Sequence, residues 1–194
     1  MTLRLLLIPL AIALLAAIAA CGGDDDTSST TPGSGSPSAA TDGVGTVADD
    51  IYFTNLSSTL EDLVPESSAL DEFRATAFDP ALSEAERAAN AEEFADRYES
   101  YTTTAHDDVL AITPGESLAG EHGALVDALA DLITLGEELA AALEGAPVST
   151  EAEFGDLFFE LEGQSLELRV RDACFRLQQV ANNAGIETGF VCPR

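Results

Sequence analysis

The sequence contains no Lys and no Trp, and Met occurs only as the first of its 194 residues. Basic side chains are scarce: Lys and Arg together number 8 against 35 aspartates and glutamates, and the formal net charge is −27. A chain this acidic lacks the cationic surface that a phosphate backbone requires, which excludes nucleic acid as a partner. The absence of Lys also excludes a Schiff-base lysine and a P-loop lysine.

Sequence motifs of several common enzyme classes are also missing. The chain has no G-x-S-x-G, no H-E-x-x-H, no G-x-G-x-x-G and no C-x-x-C-H. These are the signs of esterase-type hydrolysis, zinc proteolysis, dinucleotide binding and covalent haem attachment. We therefore predict that the protein is not an enzyme and takes no cofactor. Its 46% hydrophobic residues are too many for a wholly disordered chain.

The N-terminus carries a short hydrophobic run. Arg4 is the only charge before Asp24, and the sixteen residues 5–20 are all apolar or Pro. A bilayer span needs about 20 residues, so this run is typical of a signal peptide. It ends in Ile-Ala-Ala-Cys at 18–21, which resembles the lipobox of bacterial lipoproteins. The resemblance implies that 1–20 is a lipoprotein signal peptide and that Cys21 becomes the lipidated N-terminus on the extracytoplasmic face of the cell membrane.

Two other interpretations of the N-terminus stay open, an ordinary secretory signal with a coincidental Cys and an uncleaved helical anchor. After Cys21 comes a linker, residues 22–45, made almost entirely of Gly, Ser, Thr, Pro, Ala and Asp. It cannot bury enough apolar surface to fold. As a flexible tether, its root-mean-square span would be about 25–30 Å. We therefore divide the chain into 1–20, 21–45 and a folded domain at 46–194.

From Thr46 onward the apolar residues recur with the period of an α-helix. The first predicted helix begins near Thr46 and ends before Pro65, and a shorter continuation after Ser67 or Ser68 ends at Asp79-Pro80. The capping box Ser83-x-x-Glu86 opens a second helix. Thr113-Pro114-Gly115-Glu116 is predicted to open a third, with Pro at its first position.

The fourth predicted helix opens with the capping box Thr150-x-x-Glu153, bends at Gly163 and ends at Gly185 in a left-handed cap. The predicted apolar stripes are Val47, Ile51, Tyr52, Phe53, Leu56, Leu60 and Leu63, with Leu70, Phe73 and Phe78 on the continuation; Ala91, Phe94, Tyr98, Tyr101, Ala105, Val109 and Ile112; Leu118, His122, Leu125, Leu129, Leu132, Gly136, Leu139 and Leu143; and Phe154, Phe158, Leu161, Leu168, Ala173, Leu177 and Val180. Four amphipathic helices with short links predict an all-α, antiparallel four-helix bundle.

The chain has three cysteines, and assigning Cys21 to lipid leaves two that can pair. Cys174 and Cys192 then form an even pair in an oxidising compartment. Ten helical steps from Cys174 cover about 15 Å, and the chain after Gly185 can return over about 20 Å. We predict a disulfide that pins the C-terminal tail to the last helix. Two free thiols are the alternative, weakened because neither cysteine adjoins a His.

The two histidines, His106 and His122, are the candidate metal or small-ligand site. Each lies eight residues from Pro114, so a helical hairpin could place them at the same depth, near several carboxylates. The ferritin-like Glu-x-x-His pattern is absent, since positions 103 and 119 are Thr and Ala. His122 also lies on a leucine stripe, where a hydrogen-bonded core histidine is the ordinary interpretation.

Arg169, Arg171 and Arg176 are the candidate anion site, because they concentrate positive charge in one short segment of an acidic chain. The alternative is intramolecular pairing with Glu167, Asp172 and acidic residues of facing helices.

The body also resembles a loose group of functionally uncharacterised helical lipoproteins from high-GC bacteria. The shared features are Leu110-Ala111-Ile112-Thr113-Pro114 followed by His122, Ala173-Cys174 with Leu177, and Gly185-Ile186 before Cys192. This resemblance implies the helical fold and the disulfide, and it assigns no activity.

The sequence therefore predicts a lipid-anchored helical protein of the cell envelope that acts as a non-enzymatic binding or interaction module. Its expected partners are the membrane, through lipid on Cys21, and an envelope protein or small ligand. A ligand- or metal-binding lipoprotein using His106 and His122 is the first alternative, and a cell-envelope hydrolase is the second.

Overall fold

The computed structural model describes residues 47–188 together with 190 and 192. The expected signal peptide, the lipidation site Cys21 and the linker 22–45 lie outside these residues. The described part is all-helical, as predicted, and it contains no strand. Its helices are α1 (Val47–Ala77), α2 (Glu84–Leu110), α3 (Ala119–Gly145), α4 (Glu151–Glu160) and α5 (Gly163–Asn183).

Both predicted capping boxes are confirmed. The Ser83 hydroxyl accepts from the backbone N–H of Glu86, and the Glu86 carboxylate accepts from the N–H of Ser83. Thr150 and Glu153 make the same reciprocal pair at the start of α4. These bonds satisfy donors that the first helical turn leaves without partners, which explains why α2 and α4 begin where the sequence indicates.

The predicted break at Pro65 is wrong, because α1 runs through Pro65 to Ala77 as one 31-residue helix. A proline inside a helix removes one backbone donor and crowds the carbonyl four residues earlier. Pro65 and Glu61 are both exposed, so water can solvate the freed carbonyl. The helix therefore continues at a modest local cost.

The predicted start of the third helix is also wrong. The segment 111–118 is a connection, and α3 begins at Ala119 without a side-chain cap. This connection packs against α1: the Ser117 hydroxyl donates to Oδ1 of the buried Asp49 at 3.1 Å. A tertiary contact thus takes the place of the cap predicted from Pro114.

The predicted fourth helix is two helices, so the described domain has five rather than four. Glu162 separates them with a left-handed backbone, φ 58°. At Gly163 the ring of Phe158 lies where a side chain would begin, 2.5 Å from an ideal Cβ position. The chain therefore ends one helix and begins another where a bend was expected. The left-handed Glu162 separates α4 from α5, and Gly163 leaves room for the Phe158 ring.

The core forms where α2 packs against α1 and α3, and where α3 packs against α5. The predicted α3 stripe is confirmed, since every one of its members from Leu118 to Leu143 is buried. Two other stripe assignments are wrong: Ile51 is 58% exposed and Leu168 is 46% exposed. Leu168 turns outward because the corner at Glu162 resets the register of α5, which buries Val170, Ala173, Leu177 and Ala181 instead.

The C-terminal end of α5 follows the prediction. Gly185 has φ 72°, and the N–H groups of Gly185 and Ile186 bond the carbonyls of Asn182 and Ala181. This is a Schellman cap, which reverses the chain. The predicted Cys174–Cys192 disulfide is present, with a Cα–Cα distance of 5.7 Å. In the described part of the chain, no helix is long and apolar enough to cross a bilayer.

Candidate functional site

A concave surface of the described domain is a groove between α1 and the segment that follows α5. Its volume is about 530 Å³. The groove is lined by Asp50, Phe53, Thr54, Ser57, Ser58, Glu61, Gly185, Ile186, Glu187 and Thr188.

One wall of the groove is a single face of α1. The lining positions 50, 53, 54, 57, 58 and 61 recur at the three- and four-residue spacing of one helix face. The face extends about 16 Å from Asp50 to Glu61 at 1.5 Å per residue. A regular helix therefore presents a straight row of hydroxyl and carboxylate groups.

The disulfide-pinned tail forms the opposite wall. Beyond the wall, Phe190 is buried and stacks on Phe53, with ring centroids 6.4 Å apart and planes inclined by 16°. The Gln178 amide donates to the Phe190 carbonyl at 3.5 Å. The Schellman cap, the ring stack and the Cys174–Cys192 bond together hold this wall in place against α1.

The groove offers acceptors and hydroxyls. Asp50, Glu61 and Glu187 carry negative charge, and no cationic side chain is among its lining residues. Thr54 donates its hydroxyl proton to the carbonyl of Asp50 at 2.8 Å, which leaves the Thr54 oxygen able to accept from a ligand. The arrangement suits a polar ligand that presents hydrogen-bond donors and is neutral or cationic.

The candidate ligand His122 is a buried residue whose side chain already has a hydrogen-bond partner. It is 6% exposed, and its Nδ1 lies 3.1 Å from the hydroxyl of the fully buried Tyr52 on α1. The two rings also meet edge to face at 5.6 Å. With Nδ1 as acceptor, the imidazole is the neutral Nε2–H tautomer.

Burial shifts the ionisation of both members of this pair. Desolvation lowers the pKa of His122 and raises the pKa of Tyr52, since the charged form of each would lose its hydration. Both side chains are therefore held neutral at physiological pH, as expected for a packed polar contact in a core.

The candidate ligand His106 lies in a different setting on α2. Its side chain is 18% exposed, and its Nδ1 lies 3.0 Å from Oδ1 of the neighbouring Asp107. Among the described residues, no hydrogen bond or ring contact joins His106 to His122. Over the same residues, no three or more His, Cys, Asp and Glu side chains are arranged to hold a metal ion.

The three candidate anion-binding arginines do not share one partner. Arg169 pairs with Asp131 of α3, with Nη1 and Oδ2 2.6 Å apart. Arg176 is exposed and Arg171 is half-buried, and neither pairs with an acid in the described part of the chain. The structure thus contains one of the predicted intramolecular pairs, between Arg169 and Asp131.

A hydroxyl–carboxyl contact also joins α2 and α5. Tyr98 is buried, and its hydroxyl donates to Oε1 of Glu167 on α5 at 3.5 Å. Desolvation and the nearby Glu167 carboxylate raise the pKa of Tyr98. In the described part of the chain, no serine hydroxyl is hydrogen-bonded to a histidine.

Sequence reasoning missed the groove. In the sequence, the α1 wall of the groove looks like an ordinary polar helix face. The other wall, residues 185–188, forms only when the tail folds back against α1. One signal was present: Thr54, Ser57 and Ser58 are poor helix formers placed together on one face. Their clustering could have marked α1 as more than a solvated surface.

Comparison of the chain with protein-family models, with curated proteins and with solved structures found no match.

Proposed function

We propose that this protein is a lipid-anchored, extracytoplasmic binding module, held to the membrane through Cys21 and without enzymatic activity. The observation that carries the proposal is the C-terminal segment pinned by Cys174–Cys192. Structural disulfides persist in oxidising compartments, which supports export of the domain. The same disulfide holds one wall of the groove. It therefore supports both the extracytoplasmic location and the groove as a binding surface.

The lipid anchor accounts for the third cysteine. Cys21 follows a signal-type hydrophobic run, and the disulfide uses both other cysteines of the chain. A lipidated cysteine with two or three acyl chains holds a protein stably on a membrane. The linker 22–45 carries four aspartates and no basic residue. It would separate the strongly acidic domain from the membrane to which Cys21 is anchored.

Labelling with a radioactive fatty acid tests the anchor. We expect label on the full-length protein expressed in a bacterium and none on its Cys21→Ser variant. Cys192→Ser is the matched control, because it also removes one thiol yet should keep the label. An unlabelled wild type, or a labelled Cys21→Ser variant, would contradict lipidation.

The groove is the proposed binding surface, and its partner is a polar ligand or an envelope protein segment that presents donors to Asp50, Glu61 and Glu187. A photoreactive amino acid placed at Ser57, on the groove wall, should cross-link to a defined partner in intact envelopes. The same residue at Ser100, exposed on α2 and outside the groove, is the control. Identical products from both positions would remove the groove from the proposal.

We propose further that α1, α2, α3 and α5 are the four long helices of an antiparallel bundle, with α4 part of the last connection. Their lengths of 31, 27, 27 and 21 residues and the short segments between α1, α2 and α3 support this arrangement. A solution structure in which two consecutive long helices run parallel would contradict it.

A further inference from the structure

Four polar side chains of the groove form a straight row along α1. They are spaced by four, three and four residues, in the order Asp50, Thr54, Ser57 and Glu61. This spacing places all four within an arc of about 60° around the helix. The row begins and ends with a carboxylate, and the two carboxylates are about 16 Å apart along the helix axis. They are too far apart to bind one metal ion, whose oxygen ligands lie within about 2.6 Å of it.

The carboxylates of the groove have no basic partner in the domain. Asp50, Glu61 and Glu187 are exposed. None of them forms an ion pair with an arginine or a histidine among the residues that the structure describes. Glu187 belongs to the tail wall, so a molecule in the groove meets carboxylates on two sides. Each carboxylate is therefore able to accept a hydrogen bond from a ligand.

An apolar strip accompanies the row of acceptors. Among the lining residues, Phe53 and Ile186 are hydrophobic, one on each wall of the groove. Phe53 is 2% exposed and Ile186 is half-buried, so the strip is narrow. The stack of Phe190 on Phe53 and the Cys174–Cys192 disulfide keep the two sides together. A narrow apolar strip beside spaced acceptors suits an unbranched chain of methylene groups with donors at intervals.

Acidity alone does not distinguish the groove, because the whole chain has a formal charge of −27. The groove differs from the other acidic surfaces in its order: a carboxylate at each end, hydroxyls between them and an apolar strip alongside. A ligand complementary to this order has a cationic donor at each end and further donors within an apolar chain. An extended chain advances about 1.2 Å per bond, so about 13 bonds cover the 16 Å between the two carboxylates.

We propose that the groove binds a linear polyamine of the length of spermine. Its terminal ammonium groups donate to Asp50 and Glu61, and its inner amines donate to Glu187 and to the hydroxyls of Thr54 and Ser57. Its methylene groups lie along the apolar strip. The inference rests on the proposed function, since it names the class of ligand that the same groove takes.

A peptide with basic side chains is the other cationic occupant to consider. A peptide backbone carries a carbonyl acceptor at every residue. In the groove these carbonyls would lie beside the carboxylates of both walls and would repel them. A polyamine carries donors and no acceptor when it is fully protonated, so it matches the groove along its whole length.

The general attraction of cations to an acidic domain must be separated from binding in the groove. At about 150 mM NaCl the screening length is about 8 Å, which is half the distance between the two carboxylates. Each end of the ligand then responds mainly to the carboxylate nearest to it. Removing those carboxylates should therefore weaken binding more than removing two others of equal charge.

Isothermal titration calorimetry of the full chain in nonionic detergent, with spermine at this salt concentration, tests the proposal. We expect Asp50→Asn/Glu61→Gln to raise the dissociation constant about tenfold. The matched control is Asp96→Asn/Asp107→Asn, which removes two exposed carboxylates, also eleven residues apart, from α2 outside the groove. It should leave the constant within about twofold of the wild type, and circular dichroism verifies that both variants are folded. Equal weakening by the two variants, or a wild type that does not bind spermine, would overturn the proposal.

The length of the ligand gives a second test. Putrescine has the same chemistry, but its ammonium groups are about 6 Å apart when extended, so it reaches only one end of the row. The ratio of the dissociation constants of putrescine and spermine should fall in the groove variant and stay unchanged in the control variant. An unchanged ratio in the groove variant would show that length is not read, which contradicts the proposal.

Tetralysine distinguishes a polyamine from a basic peptide. We expect it to bind more weakly than spermine, and tighter binding that is lost in Asp50→Asn/Glu61→Gln would replace the polyamine by a peptide. Failure of spermine to bind is distinguishable from failure of the proposed function. Cross-linking of a defined partner from Ser57 would still identify the groove as a binding surface, and identical cross-links from Ser57 and Ser100 would remove it.

Discussion

Tyr52 on α1 and His122 on α3 are 70 residues apart in the chain, and they form a buried polar contact. The Tyr52 hydroxyl and Nδ1 of His122 are 3.1 Å apart, and both side chains are buried. The fold therefore stabilises the neutral ring by desolvation, because a buried imidazolium would lose its hydration. A residue that looks like a metal ligand in the sequence is here part of the core packing.

We predict that lowering the pH from 7 to 5.5 destabilises the domain through His122. Its pKa is lowered in the folded state, while the unfolded chain takes up a proton near the ordinary value of 6.5. The stabilisation is therefore complete above pH 6.5 and is lost as the pH falls, at no more than about 1.4 kcal/mol per pH unit. Urea unfolding at several pH values measures this slope.

His122→Gln should flatten the slope, and His106→Gln is the matched control that should retain it, because His106 takes no part in the buried Tyr52–His122 contact. A slope that is the same in wild type and His122→Gln would contradict the assignment.

At the scale of elements, the α2–α3 contact depends on one glycine. An ideal Cβ at Gly136 would lie 2.9 Å from Cβ and 3.0 Å from Cα of Glu99 on α2. Real Cβ atoms do not approach that closely, and the obstruction includes backbone. The two helices can pack at this distance only because residue 136 has no side chain.

We predict that Gly136→Ala lowers the free energy of unfolding by about 1–3 kcal/mol, the usual cost of overpacking. Gly123→Ala on the same helix is the control, since its Cβ would meet nothing within 4 Å. It should raise the free energy of unfolding by about 0.5–1 kcal/mol, because alanine is the better helix former. Urea titration of both variants gives the comparison, and two effects of the same sign would refute the argument.

At the scale of the whole molecule, the C-terminal tail joins the last helix to the first. Cys192 is bonded to Cys174 on α5, and Phe190 stacks on Phe53 of α1. The bond closes a loop with a sequence separation of 18. In the chain-entropy account, closing a loop of this size stabilises the fold by restricting the unfolded chain.

We predict that Cys174→Ala/Cys192→Ala lowers the free energy of unfolding by about 3 kcal/mol. Reduction of the wild type should produce a similar loss, and reductant should leave the double variant unchanged. Thermal unfolding followed by circular dichroism measures both effects. Equal stability of wild type and double variant would show that the tail is held by packing alone.

Local chemistry made much of this fold predictable from the sequence. The capping boxes at Ser83 and Thr150, the left-handed cap at Gly185 and the leucine stripe of α3 each depend on residues within one or two helical turns. The pairing of Cys174 with Cys192 followed from the distance between Cys174 and the turn at Gly185 and from the reach of the segment after that turn. Such features form wherever the local pattern is satisfied, so tertiary context had little to alter.

The remaining features depended on contacts between residues far apart in the chain. Only the tertiary structure showed that α1 continues through Pro65, that Asp49 holds the connection before α3, and that Glu162 turns a bend into a corner. The groove is of this kind as well, because its two walls meet only when the tail crosses α1. The sequence by itself determined an acidic, all-helical domain, because helical periodicity and capping are local properties of the chain. Its two remaining cysteines determined that the tail is pinned to the last helix. Which faces became a groove or a core contact was decided by packing, because those surfaces form only when distant segments come together.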